Sequence, residues 1–103
     1  MIWWLGLACA TPPQDCASLP PGPQADLCWR AELLATGPQG VDAALALAPR
    51  FSDPLAQEEA VMAWMRSNGP KADPQQGERL CALLSAQERQ ACVRRLHSAH
   101  LRR

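Results

Sequence analysis

The segment CALLSAQERQAC, residues 81–92, places two cysteines on either side of a break between helices. Ser85, followed three residues later by Glu88, is the capping-box pattern that marks a new helix start. In one continuous helix the two cysteines would be about 16 Å apart, whereas a disulfide requires Cα atoms within about 7 Å. The predicted break therefore allows Cys81 and Cys92 to pair with each other.

Cys16 and Cys28 form a second pair that the sequence can bring together. The segment LPPGP, residues 19–23, lies between them and cannot be helical throughout, since proline lacks an amide hydrogen and clashes with the preceding turn. With Cys9 set aside, four cysteines remain in a short chain, which is typical of a disulfide framework. The favoured pairs are Cys16–Cys28 and Cys81–Cys92, each worth about 3 kcal/mol of stability. Pairing between the two segments is the alternative.

The composition predicts an all-α fold, a small bundle of four to five short helices stapled by the two disulfides. The chain of 103 residues contains six β-branched residues, one Phe and no Tyr. Strands favour those residue types, whereas the abundant Ala, Leu, Gln, Glu and Arg favour helices. A chain of this length has room for one domain, predicted at residues 23–103, after an export signal at 1–8 and a Pro-rich tether at 9–22.

Caps and apolar periodicity predict where the helices lie. The clearest boundaries are those of the third helix, since Ser52 or Asp53 caps it, Pro54 fits its first position, and the Asn68-Gly69-Pro70 segment ends it. In the first helix we expect one face to carry Leu27, Ala31 and Leu34. The predicted helices cover residues 24–36, 38–48, 54–68, 78–84 and 86–101.

The N-terminal run MIWWLGLAC, residues 1–9, is apolar and ends in small residues, as export signals do. It is too short to cross a bilayer of about 30 Å as a helix. The segment from Leu5 to Cys9 resembles the lipobox of bacterial lipoproteins. That resemblance implies cleavage before Cys9, diacylglycerol on its sulfur, and a place in the cell envelope, on the periplasmic side or in the outer membrane. The alternative is a cytosolic protein in which residues 2–7 are a buried first turn.

Charge and motif content favour some functional classes over others. The formal net charge is zero, which argues against a general nucleic-acid binder. The sequence contains no Gly-rich phosphate loop and no nucleophile motif, and its acidic residues are spaced as helix caps and solvent-facing charges. We therefore expect no catalysis, no cofactor and no small-molecule substrate. The favoured function is a membrane-tethered interaction or structural module with an unknown envelope protein as partner.

Four residues are candidates for contact with such a partner: Trp29, Trp64, Arg94 and Arg95. Exposed tryptophans are frequent anchors of protein interfaces, although a core this small tends to bury them. From Arg89 onward the chain is basic with no acidic residue. A basic helix can contact anionic lipid or an acidic partner. The simpler interpretation of the arginines is a solvated face near a helix C-terminus.

His97 and His100, three residues apart on the last predicted helix, suggest an alternative function, the binding of Cu or Zn in the envelope. Imidazole binds both metals, and thioether sulfur binds Cu(I), so Met62, Met65 or a reduced cysteine would complete the site. Oxidised cysteines do not bind metal in this way. The simpler interpretation places the methionines in the core and His97 on the surface.

Overall fold

Two of the helices begin where an aspartate precedes a proline. In the computed structural model, which describes residues 15–101, the Asp53 carboxylate accepts a hydrogen bond from the Leu55 amide at 3.0 Å. The Asp73 carboxylate accepts one from the Gln76 amide at 3.1 Å. Each aspartate is an N-cap, and the proline after it occupies the first helical position, where it has no hydrogen bond to lose.

Five α-helices result, and no strand occurs between residues 15 and 101. The all-α prediction is confirmed. Short 3₁₀ helices lie at Cys16–Ser18, Ala48–Arg50 and Gly69–Lys71. The α-helices are α1 (Pro23–Ala35), α2 (Val41–Leu47), α3 (Pro54–Asn68), α4 (Pro74–Cys81) and α5 (Ala86–Leu101).

Helix boundaries differ from the prediction at α2 and α4. Helix α4 begins at Pro74, not at residue 78, because the Asp73 cap acts four residues earlier than the apolar pattern does. Helix α2 begins at Val41, because residues 37–40 form a turn in which Gly37 adopts a φ of 78°. Only glycine adopts such a backbone conformation without strain.

Both predicted disulfides are confirmed. Cys16 and Cys28 join the first 3₁₀ helix to α1 with a Cα–Cα distance of 5.6 Å. Cys81 and Cys92 join the end of α4 to α5 at 5.7 Å. Cys16 is buried, so the packed structure includes part of the stretch predicted as a tether. Residues 9–14 of that stretch, and the predicted signal, lie outside the described residues.

Trp64 on α3 lies at the centre of the core. Its side chain is 0% exposed, and it belongs to a cluster that includes Leu33, Val61 and Leu80. The indole Nε1 donates a hydrogen bond to the Thr36 hydroxyl at 3.0 Å, which in turn donates to the Leu33 carbonyl at 2.7 Å. Helix α3 contacts α1, α4 and α5, so three of the other four helices pack against it.

The buried face of α1 differs from the one expected. Leu27 is 67% exposed, whereas Asp26 is buried. The Asp26 carboxylate accepts hydrogen bonds from the Ser52 amide at 2.8 Å and from the Ser52 hydroxyl at 2.9 Å. A polar residue therefore faces the protein interior, because it fixes the loop that leads into α3. Apolar periodicity does not reveal a buried carboxylate of this kind.

Candidate functional site

A partly open groove of about 220 Å³ runs between α3 and α5. Its lining is mostly apolar and comes from α3, α5, the loop before α5 and the 3₁₀ helix Gly69–Lys71. Two arginines and one glutamate also border it. The residues that matter for its chemistry are Met62, Met65, Leu96, Arg66, Glu88 and Arg95. We refer to this feature as the α3–α5 groove.

Helix α3 contributes Met62 and Met65 to the groove. They are three residues apart, so they lie on one helical face, and Arg66 is at the adjoining position. Both methionines are half-buried and pack against the edge of the core. A thioether side chain is flexible and polarisable, and it adapts to partners of different shape. The α3 wall is therefore an adaptable apolar surface next to a positive charge.

Two contacts hold α5 in place as the second wall. The Cys81–Cys92 disulfide fixes its second turn to the end of α4, and Cys92 itself borders the groove. Near the other end of α5, His100 Nε2 lies 3.3 Å from the carbonyl oxygen of Gly69 and donates to it in the tautomer that carries a proton there. Both ends of the groove wall are thus attached to the rest of the fold.

The sequence-predicted contact residues lie on three helices. Arg95 borders the groove, whereas Arg94 is exposed on α5 outside it. Trp29 on α1 is half-buried, and the Arg50 guanidinium carbon lies 5.6 Å from the centre of its ring. Trp64 is in the core, so its side chain is not available at the surface. Of these four residues, Arg95 alone borders the groove.

The two histidines have separate partners. His97 Nε2 lies 3.4 Å from Glu78 Oε2 on α4, whereas His100 faces Gly69. The cysteines from Cys16 onward form disulfides. Within residues 15–101, no group of three or more His, Cys, Asp or Glu residues is arranged to hold a metal ion. The structure thus places the Nε2 atoms of the two histidines against different neighbours, Glu78 and Gly69, and metal binding through methionine stays a prediction.

An ion pair links α1 to α3 on another side of the molecule. The Arg30 guanidinium donates two hydrogen bonds to the Glu59 carboxylate, at 2.7 and 3.0 Å. These hydrogen bonds hold the pKa of Glu59 below its ordinary value, against the opposing effect of desolvation. Both side chains are more than a third exposed, so this pair contributes to helix packing only modestly.

Sequence reasoning placed Met62 and Met65 in the core and did not single out Arg66. Apolar spacing shows that two residues share a helical face, but it does not show whether a neighbouring element covers that face completely. The proximity of Arg66 to Arg95 across the groove depends on the packing of α5. Arg66 and Arg95 are far apart in the sequence, so no short sequence pattern predicts that they border the same groove.

Comparisons with models of known protein families, with curated proteins and with solved structures found no match. None of the helices within residues 15–101 is long and apolar enough to cross a membrane. Cys9, the predicted site of lipid attachment, lies outside the described residues.

Proposed function

We propose that this chain is an exported, non-catalytic interaction module that a lipid on Cys9 tethers to the cell envelope. The α3–α5 groove is the observation that carries the proposal. It is apolar, bordered by charged side chains and lined by methionines that can adapt to a partner. A protein partner in the envelope is the ligand that such a surface suits best.

The two disulfides support the export part of the proposal. Disulfides persist in oxidising compartments and are rare in the cytosol. A small domain gains most from them, because its core buries limited apolar surface. The lipobox-like segment from Leu5 to Cys9 supports attachment at the membrane surface.

Intact mass spectrometry of the protein purified from its native membranes tests the tether and the disulfides. We expect a chain that starts at a lipidated Cys9, in which four thiols react with an alkylating reagent only after reduction. A full-length mass without lipid, or thiols that react without reduction, would contradict export and lipidation.

Site-specific photo-crosslinking in native envelopes tests the interaction. A photoreactive phenylalanine analogue at Met65 would lie in the groove, and the same analogue at the exposed Ala43 on α2 is the matched control. We expect discrete protein adducts from position 65 that position 43 does not give. The same adducts from both positions, or none from either, would exclude the groove as the contact surface.

A further inference from the structure

We propose that the α3–α5 groove binds an acidic segment of a partner protein, which inserts one bulky apolar side chain between the helices and places carboxylates beside Arg66 and Arg95. This inference rests on the proposed function, because it takes the groove as the contact surface. It adds the chemistry of the partner, which three features of the groove determine.

The volume of the groove determines how large an apolar side chain the ligand can insert. An apolar cavity of about 150 Å³ accommodates benzene. A groove of about 220 Å³ therefore accommodates one aromatic or branched aliphatic side chain, with Leu96 and the two methionines around it. Interface anchors of this kind, large side chains in an apolar pocket, supply much of the binding energy in protein complexes.

The charged residues at the border of the groove determine which charged groups the ligand needs. Arg66 and Arg95 oppose a single glutamate, Glu88, so the border carries a net positive charge. Within residues 15–101 neither guanidinium takes part in a salt bridge or a hydrogen bond, and the charge of Arg66 acts on Glu59 of the same helix without pairing with it. Guanidinium groups bind carboxylates through paired hydrogen bonds. An apolar anchor flanked by Asp or Glu is the matching ligand.

Charge is also unevenly distributed along the chain, although its total is zero. Residues 1–64 contain two Lys or Arg and seven Asp or Glu, a net charge of −5, whereas residues 65–103 contain eight and three, a net charge of +5. The α5 wall and the groove border belong largely to the basic part. A long-range field of this form attracts an acidic segment toward α5 and disfavours its approach to α1.

Selection from a displayed library of random peptides tests this chemistry. The bait is the oxidised full chain carrying C9S, which keeps both disulfides and carries no lipid. We expect the enriched peptides to share a Phe, Trp or Leu next to Asp or Glu. Enrichment of basic or uncharged peptides, or no enrichment, would overturn the inference.

Variants then assign the binding to the groove. For the best peptide, measured by fluorescence anisotropy, we expect R66E/R95E to weaken binding at least tenfold. A99F, which fills part of the groove, should do the same without changing the charge. R94E is the matched control, because it reverses a charge on the same helix outside the groove, and should change affinity less than twofold. Equal weakening of binding by R94E and by R66E/R95E would overturn the inference.

Two further results distinguish a failure of this inference from a failure of the proposed function. Vesicles containing phosphatidylglycerol, compared with phosphatidylcholine vesicles, show whether the arginines instead contact lipid. If R66E/R95E abolishes vesicle binding and no peptide is enriched, the surface belongs to the membrane and the inference is overturned. If position 65 crosslinks to a partner through a segment without acidic residues, the proposed function stands and the acidic ligand is wrong.

Discussion

Among single side chains, the buried indole of Trp64 depends on one hydrogen-bond partner, Thr36. Its indole N–H is buried and donates to the hydroxyl of Thr36, which closes the link between α3 and the end of α1. A buried donor without an acceptor costs more free energy than the hydrogen bond itself contributes. Thr36 therefore stabilises the fold mainly because it keeps the indole N–H satisfied.

We expect T36V to lower the free energy of unfolding by about 1–3 kcal/mol, because it leaves the indole N–H without an acceptor. T36S, which keeps the hydroxyl, is the control and should cost less. Urea denaturation of the three proteins, monitored by Trp fluorescence, measures the difference. Equal losses in both variants would show that the methyl group matters and the hydroxyl does not.

The Arg30–Glu59 pair gives the protein a weak dependence on pH. Because the pKa of Glu59 is lowered in the folded protein, its contribution to stability is present above the ordinary carboxyl pKa of 4.5 and is lost as the pH falls through the lower folded value. The pair is exposed, so we expect this contribution to stay below about 1 kcal/mol. The difference in unfolding free energy between E59Q and the native chain, measured at pH 7 and below pH 4, should shrink at the lower pH. A difference that is the same at both values would exclude the ion pair as its cause.

The turn between α1 and α2 shows how closely two parts of the chain approach. A Cβ atom on Gly40 would lie 2.2 Å from the carbonyl oxygen of Thr36, which is far inside van der Waals contact. Gly40 has a φ of −98°, so its backbone conformation is open to other residues. Glycine is therefore required at position 40 because a Cβ atom would collide with Thr36, and not because of the backbone dihedral angles.

We expect G40A to lower the free energy of unfolding by about 1–3 kcal/mol, because the overlap falls on backbone that holds the Trp64 partner. G69A is the matched control. Its Cβ would lie 3.8 Å from Met65 Sδ, an ordinary contact, and it should be neutral or stabilising by up to about 1 kcal/mol. Thermal unfolding of both variants measures this, and similar midpoints would contradict the steric argument.

The sequence predicted most accurately the helices whose first residue follows a recognisable N-cap. Asp53-Pro54 and the Ser85 region start α3 and α5 at the predicted residues, since caps act within one turn. The start of α4 was missed, although Asp73-Pro74 carries the same signal. Leu27 was placed on the apolar face of α1 and is exposed, because periodicity identifies an apolar face and does not show which neighbour covers it. The groove arises from packing between α3 and α5, so no single segment encodes it.

In the molecule as a whole, the two disulfides have different roles. Cys16–Cys28 joins the 3₁₀ helix Cys16–Ser18 to α1, whereas Cys81–Cys92 positions the α5 wall of the groove. Removing either one releases an entropic constraint on the unfolded chain. Only the second lies next to the proposed binding surface.

We expect C16S/C28S and C81S/C92S each to lower the free energy of unfolding by about 2–5 kcal/mol. In conditions where both variants remain folded, the affinity for the selected peptide should fall only in C81S/C92S, because the α5 wall is then less constrained. Denaturation and fluorescence anisotropy measure the two effects. Equal loss of affinity in both variants would indicate a general loosening of the fold.

The Cys16–Cys28 disulfide also determines how the domain bears mechanical load. Tension applied through the chain before Cys16 passes through a covalent bond into the middle of α1, and residues 17–27 lie outside the load path. The first turns of α1 therefore cannot be peeled away one hydrogen bond at a time. A pull from that side therefore enters α1 at Cys28, and the part of the helix from that residue onward, packed on α3, resists it.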